Sequence, residues 1–380
     1  MTLCANPRKP IIKNPFNTRP AAFDAHAINE TIQRALASAG LDTAAGPLRG
    51  VAETVRRALA AGGMAEAAPA ARPGPGSFEV HHFVSDAGSR TYKVYVPTGL
   101  PEAPRAMVVM LHGCTQSADD FAAGTQMNRL ADAHGFLVVY PEQPALANPS
   151  KCWNWFQRQD QRRGAGEPAL IAGIVREVAQ AHAADPRRIF VAGLSAGAAM
   201  AVVLGETYPD LIAGVGVHSG LPYGSAHDIP SALAAMKGGR SSLPGRRSVP
   251  EGAGAARKKA VQAVPVIVFH GDRDHTVQLV NAAHIVQQAL DAHAAQGGDA
   301  ILTVSTQAGV APGGRRYSRA VHADAQGQAR IENWTLHGAG HAWSGGHPSG
   351  SYTDGSGPDA SAEMVRFFLG LPRPGFSARR

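Results

Sequence analysis

Apolar positions along the chain fall into two textures. Up to residue 77 they are sparse and helical in period. Ile28, Ile32 and Leu36 recur at i, i+4 and i+8 before Gly40, and Val51, Val55 and Leu59 repeat the pattern. This spacing predicts two short amphipathic helices, followed by a linker at EAAPAARPGPGS. From residue 78 the texture changes. FEVHHFV and RTYKVYVP predict an opening antiparallel pair. Near-continuous apolar runs then occupy 106–113, 136–141, 188–195, 213–220 and 265–272, the pattern of strands buried on both faces. Helix-like stretches lie between them at 119–134, 168–184, 196–208 and 279–296. Late strands are predicted at ILTVST and ARIENWTLHG, and DASAEMVRFFLGL supplies a last helix. Such alternation predicts an α/β domain over 78–372, a mostly parallel central sheet with helices on both faces, preceded by a helical extension over 1–77.

Composition removes several classes of function. At 380 residues and 44% hydrophobic, the chain can bury a sizeable core. No apolar stretch reaches the length of a transmembrane segment. Three cysteines cannot build a Cys₄ zinc centre, and neither HExxH nor a phosphate-cradling GxxxxGK[ST] occurs, so no metal or cofactor is expected. The formal charge of +7 would suit nucleic acid if it were spread over a face. It is not. Lys237, Arg240, Arg246, Arg247, Arg257, Lys258 and Lys259 face only Glu251 in a Gly-, Ser- and Pro-rich segment. The segment at 237–259 therefore reads as a flexible insertion, either a solvated loop or a contact for an anionic or polymer surface, and nucleic acid is not expected. The amino terminus is basic and proline-punctuated without a secretory apolar core, which predicts a cytoplasmic protein.

Chemistry concentrates at the strand ends. Gly193-Leu194-Ser195-Ala196-Gly197 follows the run RIFVAG and precedes a helical stretch. This is G-x-S-x-G in strand–turn–helix context, where a sharp turn exposes the serine and aims a helix N-terminus at a developing oxyanion. Ser195 is the expected nucleophile. An acid is expected next in chain order, and Gly271-Asp272-Arg273-Asp274 follows the run PVIVFH. Asp274 is favoured over Asp272, which suits a turn residue. His341, in the loop GAGHAWSGG, is the expected base, with His337 and His347 as rivals. The loop after VVMLHG would provide a second oxyanion donor, so the backbone N–H groups of Cys114 and Ala196 are the expected pair.

Six segments, LHGCTQ, CWNWF, GEPALIAGIV, DPRRIFVAGLSAGAAMA, HGDRDHTV and GAGHAWSGG, resemble the poly(3-hydroxybutyrate) depolymerase family of serine esterases, in order over about residues 80–370. The GLSAG box is most similar to the intracellular, granule-attacking members. The resemblance implies an α/β-hydrolase fold, Ser195, Asp274 and His341 as the triad, and a polyester or other ester as the substrate. It also implies granule association, or an extracellular location as for many relatives, and allows a Cys114–Cys152 disulfide that leaves Cys4 over. Trp153, Trp155 and Trp343 lie in these motifs and are candidate aromatic walls for an aliphatic chain, with core packing as the alternative for each. Two rival functions stand beside the depolymerase: a feruloyl, acetyl-xylan or small-ester esterase of the same fold, and a non-catalytic granule-binding protein. Oligomeric state is not legible.

Overall fold

The computed structural model describes residues 76–98, 104–239, 263–296 and 301–372. The expected helices near 28–36 and 51–59, Cys4 and all of the basic segment beyond Gly239 lie outside these residues.

Ten strands form one sheet. They are β1 (Ser77–Ser85), β2 (Gly88–Val96), β3 (Arg105–Leu111), β4 (Leu137–Pro141), β5 (Ala184–Leu194), β6 (Gly214–His218), β7 (Val266–Gly271), β8 (Thr303–Val310), β9 (Arg316–Ala323) and β10 (Ala329–Leu336). Their spatial order is β1-β2-β4-β3-β5-β6-β7-β10-β9-β8. The interior run from β4 to β10 is parallel, and both flanks are antiparallel. Two short parallel strands, β11 (Trp343–Ser344) and β12 (Thr353–Asp354), pair separately.

The apolar runs are continuous because each strand serves two cores at once. Met107, Val109 and Leu111 of β3 join one cluster, and Ala106, Val108 and Met110 join the other. Successive side chains of a strand point to opposite faces, so both alternations must be apolar when both faces are covered. One face is covered by α1 (Ala118–Thr125), α2 (Met127–His134) and α7 (Ala360–Gly370), and the other by α3 (Gly166–Ala181), α4 (Ala196–Thr207), α5 (Ile229–Met236) and α6 (Val280–Ala294). Among the described residues no helix is long and apolar enough to cross a membrane.

Several local features differ from the sequence expectation. The single helix expected over 119–134 is broken at Gln126, whose φ of 55° ends α1 and starts α2. β9 and α5 were not expected. β9 carries Arg316, Ser318, Arg319 and His322, a polar pattern without clean alternation. α5 is short and is fixed by a capping box between Asp228 and Ser231.

The topology also places the chemistry. From β3 the chain moves outward to β4, then crosses back so that β5 pairs with the other side of β3. At such a switch point the loops leaving the carboxyl ends of the two neighbouring strands diverge and open a crevice. Leu111 pairs with Gly193, so the loops after β3 and β5 emerge side by side.

Candidate active site

Ser195 stands between β5 and α4 with φ 56° and ψ −118°, a region that residues with a side chain rarely occupy. The turn is held from outside. Ser195 N–H donates to the His218 carbonyl at 2.9 Å, and Ala199 N–H donates to the Ser195 carbonyl at 2.9 Å. Gly197 makes the tightness possible, because a Cβ there would collide with the carbonyl oxygens of Leu111 and His112. The first turn of α4 thus rests on the end of β3.

Asp274 follows β7, and its carboxylate is completely enclosed. One oxygen accepts from the N–H groups of Thr276 (2.9 Å) and Val277 (2.8 Å). The other lies 2.7 Å from His341 Nδ1 and 3.5 Å from His270 Nε2. Burial alone would raise its pKa, but the paired histidines outweigh that effect and hold the carboxyl well below the usual range. A carboxylate only accepts, so the nitrogen of His341 that donates to Asp274 is Nδ1, which leaves Nε2 as the nitrogen turned away from the acid. The His341 loop is tied to the serine turn through His218: its Nε2 accepts from Ser344 N–H at 3.0 Å, and its carbonyl holds Ser195 N–H. Burial lowers the His218 pKa to about 3, so this ring stays neutral.

The rivals are placed elsewhere. Asp272 accepts from Gly338 N–H at 2.7 Å and pairs with His337 Nδ1 at 3.0 Å. His347 meets Ser349 Oγ at 2.8 Å and does not join the Asp274–His341 pair. The geometry therefore brings Asp274 and His341 together and separates both from Asp272, His337 and His347.

The loop after β3 has its own brace. His112 Nε2 accepts from Gln143 N–H at 3.0 Å, so Nδ1 carries the proton and donates to the Gly113 carbonyl at 2.7 Å. Burial lowers the His112 pKa and keeps the ring neutral. Gln116 N–H, at 3.3 Å, reaches the same carbonyl. In a trans peptide the carbonyl and the following N–H point in opposite directions, so fixing Gly113 C=O also fixes Cys114 N–H. That amide has no protein acceptor among the described residues. Ala196 N–H heads α4, where intrahelical acceptors are lacking. A Cys114–Cys152 disulfide joins the loop to the segment after β4.

The tryptophans require a correction. Trp153 and Trp343 are 0% and 1% exposed, and Trp155 is 6% exposed. Trp153 Nε1 donates to the His112 carbonyl, and Trp343 stacks on His218 while its Nε1 donates to Ser361 Oγ. Trp153 and Trp343 brace the loops from within, Trp155 packs edge-on against Phe156, and none of the three offers an open aromatic wall. Sequence reasoning missed His218 and His270, although both stand at the carboxyl ends of predicted strands. It also missed Glu167, which accepts from Gln143 Nε2, Asn154 N–H and Asn154 Nδ2 and lies 3.3 Å from Arg90. Burial, reinforced by Asp160, pushes the Glu167 carboxyl up to about 7.

Residues 90–309 match the family model described as Esterase PHB depolymerase, a span that includes Ser195 and Asp274 but ends before His341. The chain is 35% identical over 268 residues to poly(3-hydroxyalkanoate) depolymerase C of Paucimonas lemoignei, covering 69% of this chain and 61% of that protein. Over 291 residues it is 28% identical to poly(3-hydroxybutyrate) depolymerase of Ralstonia pickettii, covering 73% and 57%. The chain thus spans about three fifths of the length of these curated relatives. An acetyl xylan esterase from Aspergillus awamori superposes with a TM-score of 0.57 at 20% identity, over 78% of this chain and 100% of that one. The α/β-hydrolase fold is common to both.

Proposed function

The chain belongs to the esterase PHB depolymerase family, and from that premise we propose that it is a serine esterase cleaving poly(3-hydroxybutyrate) or related polyhydroxyalkanoate esters through an acyl-enzyme. The observation that carries the reading is the enclosed Asp274–His341 hydrogen bond at 2.7 Å, tied through His218 to the strained turn of Ser195. In the first step His341 Nε2 takes the Ser195 proton as Oγ attacks the ester carbonyl. Charge on the carbonyl oxygen is met by the N–H groups of Cys114 and Ala196, each such donor contributing roughly 3 kcal/mol. His341 then protonates the departing alkoxide. Water, deprotonated by the same nitrogen, releases the acyl group as a hydroxy-acid monomer or oligomer. Asp274 stays ionised throughout and supports the imidazolium.

A second reading has a specific observation behind it. Over 165 residues, 42% of this chain and 52% of that protein, the chain is also 34% identical to acetylxylan esterase A of Aspergillus oryzae, so a carbohydrate acetyl ester is the rival substrate. Parallel assays on amorphous poly(3-hydroxybutyrate) granules, acetylated xylan, feruloyl esters and p-nitrophenyl esters separate the two. Release of 3-hydroxybutyrate supports the polyester reading; acetate release without it supports the rival. A non-catalytic granule binder would be unaffected by Ser195→Ala, whereas the esterase loses turnover. For location, the Cys114–Cys152 disulfide favours an oxidising compartment over the cytoplasm. Attraction of the basic 237–259 segment to a granule surface is testable as salt-sensitive co-sedimentation.

A further inference from the structure

Ser318, His337 and Asp272 repeat the nucleophile–base–acid order away from the Ser195 turn: Ser318 Oγ lies 2.8 Å from His337 Nε2, and His337 Nδ1 lies 3.0 Å from Asp272. Ser318 sits mid-strand in β9, paired with Thr335 and Ala308, with no strand-to-helix turn to supply oxyanion donors. The trio is a poor second catalytic centre. It is well placed for another task.

Two segments must keep register for Asp274 and His341 to meet: the turn after β7 and the loop after β10. Their backbones touch. Asp272 N–H donates to the Leu336 carbonyl at 3.1 Å, and Arg273 N–H donates to the Ala339 carbonyl at 3.0 Å. A Cβ on Gly271 would strike the Ala339 carbonyl oxygen. The Asp272 side chain closes the same seam, one oxygen on Gly338 N–H at 2.7 Å and the other on the His337 ring. Through His337 the seam is anchored to Ser318 of β9, and Arg315 adds a bond from its guanidinium to the His337 carbonyl at 3.1 Å. The carboxylate therefore sits two residues before Asp274 and grips the loop three residues before His341.

We propose that Asp272 is a positioning residue, a carboxylate clip that sets the relative placement of Asp274 and His341. This rests on the esterase reading above. Loss of the clip lets the two loops slip, and small displacements of a base cost far more in turnover than in binding. The bonds of Asp272 all go to the loop that carries His341, so the signature of its loss is a fall in kcat without a matching rise in KM.

The test uses the full chain and four variants: Asp272→Ala, Asp272→Asn, His337→Gln and Asp274→Asn. Folding is checked by circular dichroism, and the hydrogen-bonded His341 Nδ1 proton is followed by low-field proton NMR. With p-nitrophenyl butyrate, Asp272→Ala is expected to lower kcat about tenfold with KM within about twofold, and to weaken the low-field resonance. Asp272→Asn keeps an acceptor for Gly338 N–H and should recover most of kcat. His337→Gln, the gentler break should the alanine variant not fold, is expected to fall between them. Unchanged kcat and an unchanged resonance in Asp272→Ala, or in His337→Gln if only that variant folds, overturn the clip. Turnover retained in Asp274→Asn would instead overturn the Asp274–His341 pairing on which the serine-esterase reading rests, while a weakened resonance in Asp272→Ala would still support the clip.

Discussion

At the scale of single residues, charge placement separates two aspartates that look alike in sequence. Asp274 receives two backbone N–H groups and His341, whereas Asp272 spans a seam between loops. Asp274→Asn should therefore lower kcat by roughly 10⁴-fold, the scale seen when a triad histidine loses its orienting carboxylate, measured as steady-state ester hydrolysis with folding intact. Glu167 has the opposite electrostatic setting. Burial raises its pKa from 4.5 to about 7, so the folded state binds more protons than the unfolded one between those values. Its contribution to stability falls as pH rises through that window and then levels off. Thermal unfolding from pH 4.5 to 8 should show that slope in the wild type and a flatter one in Glu167→Gln. The candidates Ser195, Asp274 and His341 could be picked from sequence because each follows an apolar strand run within a few residues of a glycine, and the fold places Asp274 against His341. The role of the tryptophans was not, because a motif places an indole near a loop without saying which side of the loop it occupies. Only packing against His112, His218 and Ser361 decides that.

At the scale of elements, the loop after β3 depends on partners distant in sequence. The Cys114–Cys152 bond closes a separation of 38 residues, for which chain-entropy arguments give about 4 kcal/mol of stabilisation. The Cys114→Ser/Cys152→Ser double variant should lose stability of that order in denaturant melts. Its kcat should fall more than its KM rises, because the Cys114 amide loses one of its restraints. Wild-type activity in the double variant would show instead that the His112 and Gln116 bonds to the Gly113 carbonyl hold that amide without the disulfide. Strands covered on both faces were read from their continuous apolar runs. β9 was missed because its ion pairs, such as Arg319 with Glu332, replace the expected alternation. α5 was missed because a short helix set by one capping box has too few turns to show a period. The break at Gln126 depends on a left-handed backbone that carries no clear sequence signal.

At the scale of the molecule, one topological fact organises the chemistry: β5 returns to the side of β3 opposite β4. The elbow, the Cys114 loop, the Asp274 turn and the His341 loop consequently leave the same edge of one sheet. The parallel sheet with helices on both faces was legible from the alternation of strand and helix runs, and the family from six ordered motifs. The substrate is a different matter, because ester chemistry leaves its mark on strand ends whereas chain-length and polymer preference depend on the surface around them. The most direct measurement is release of 3-hydroxybutyrate from amorphous poly(3-hydroxybutyrate) granules by the wild type and by Ser195→Ala. The account expects steady release by the wild type and a loss of more than about 10⁴-fold in the folded variant. Equal release by both proteins, or hydrolysis of small esters by the wild type with none from granules, would contradict it.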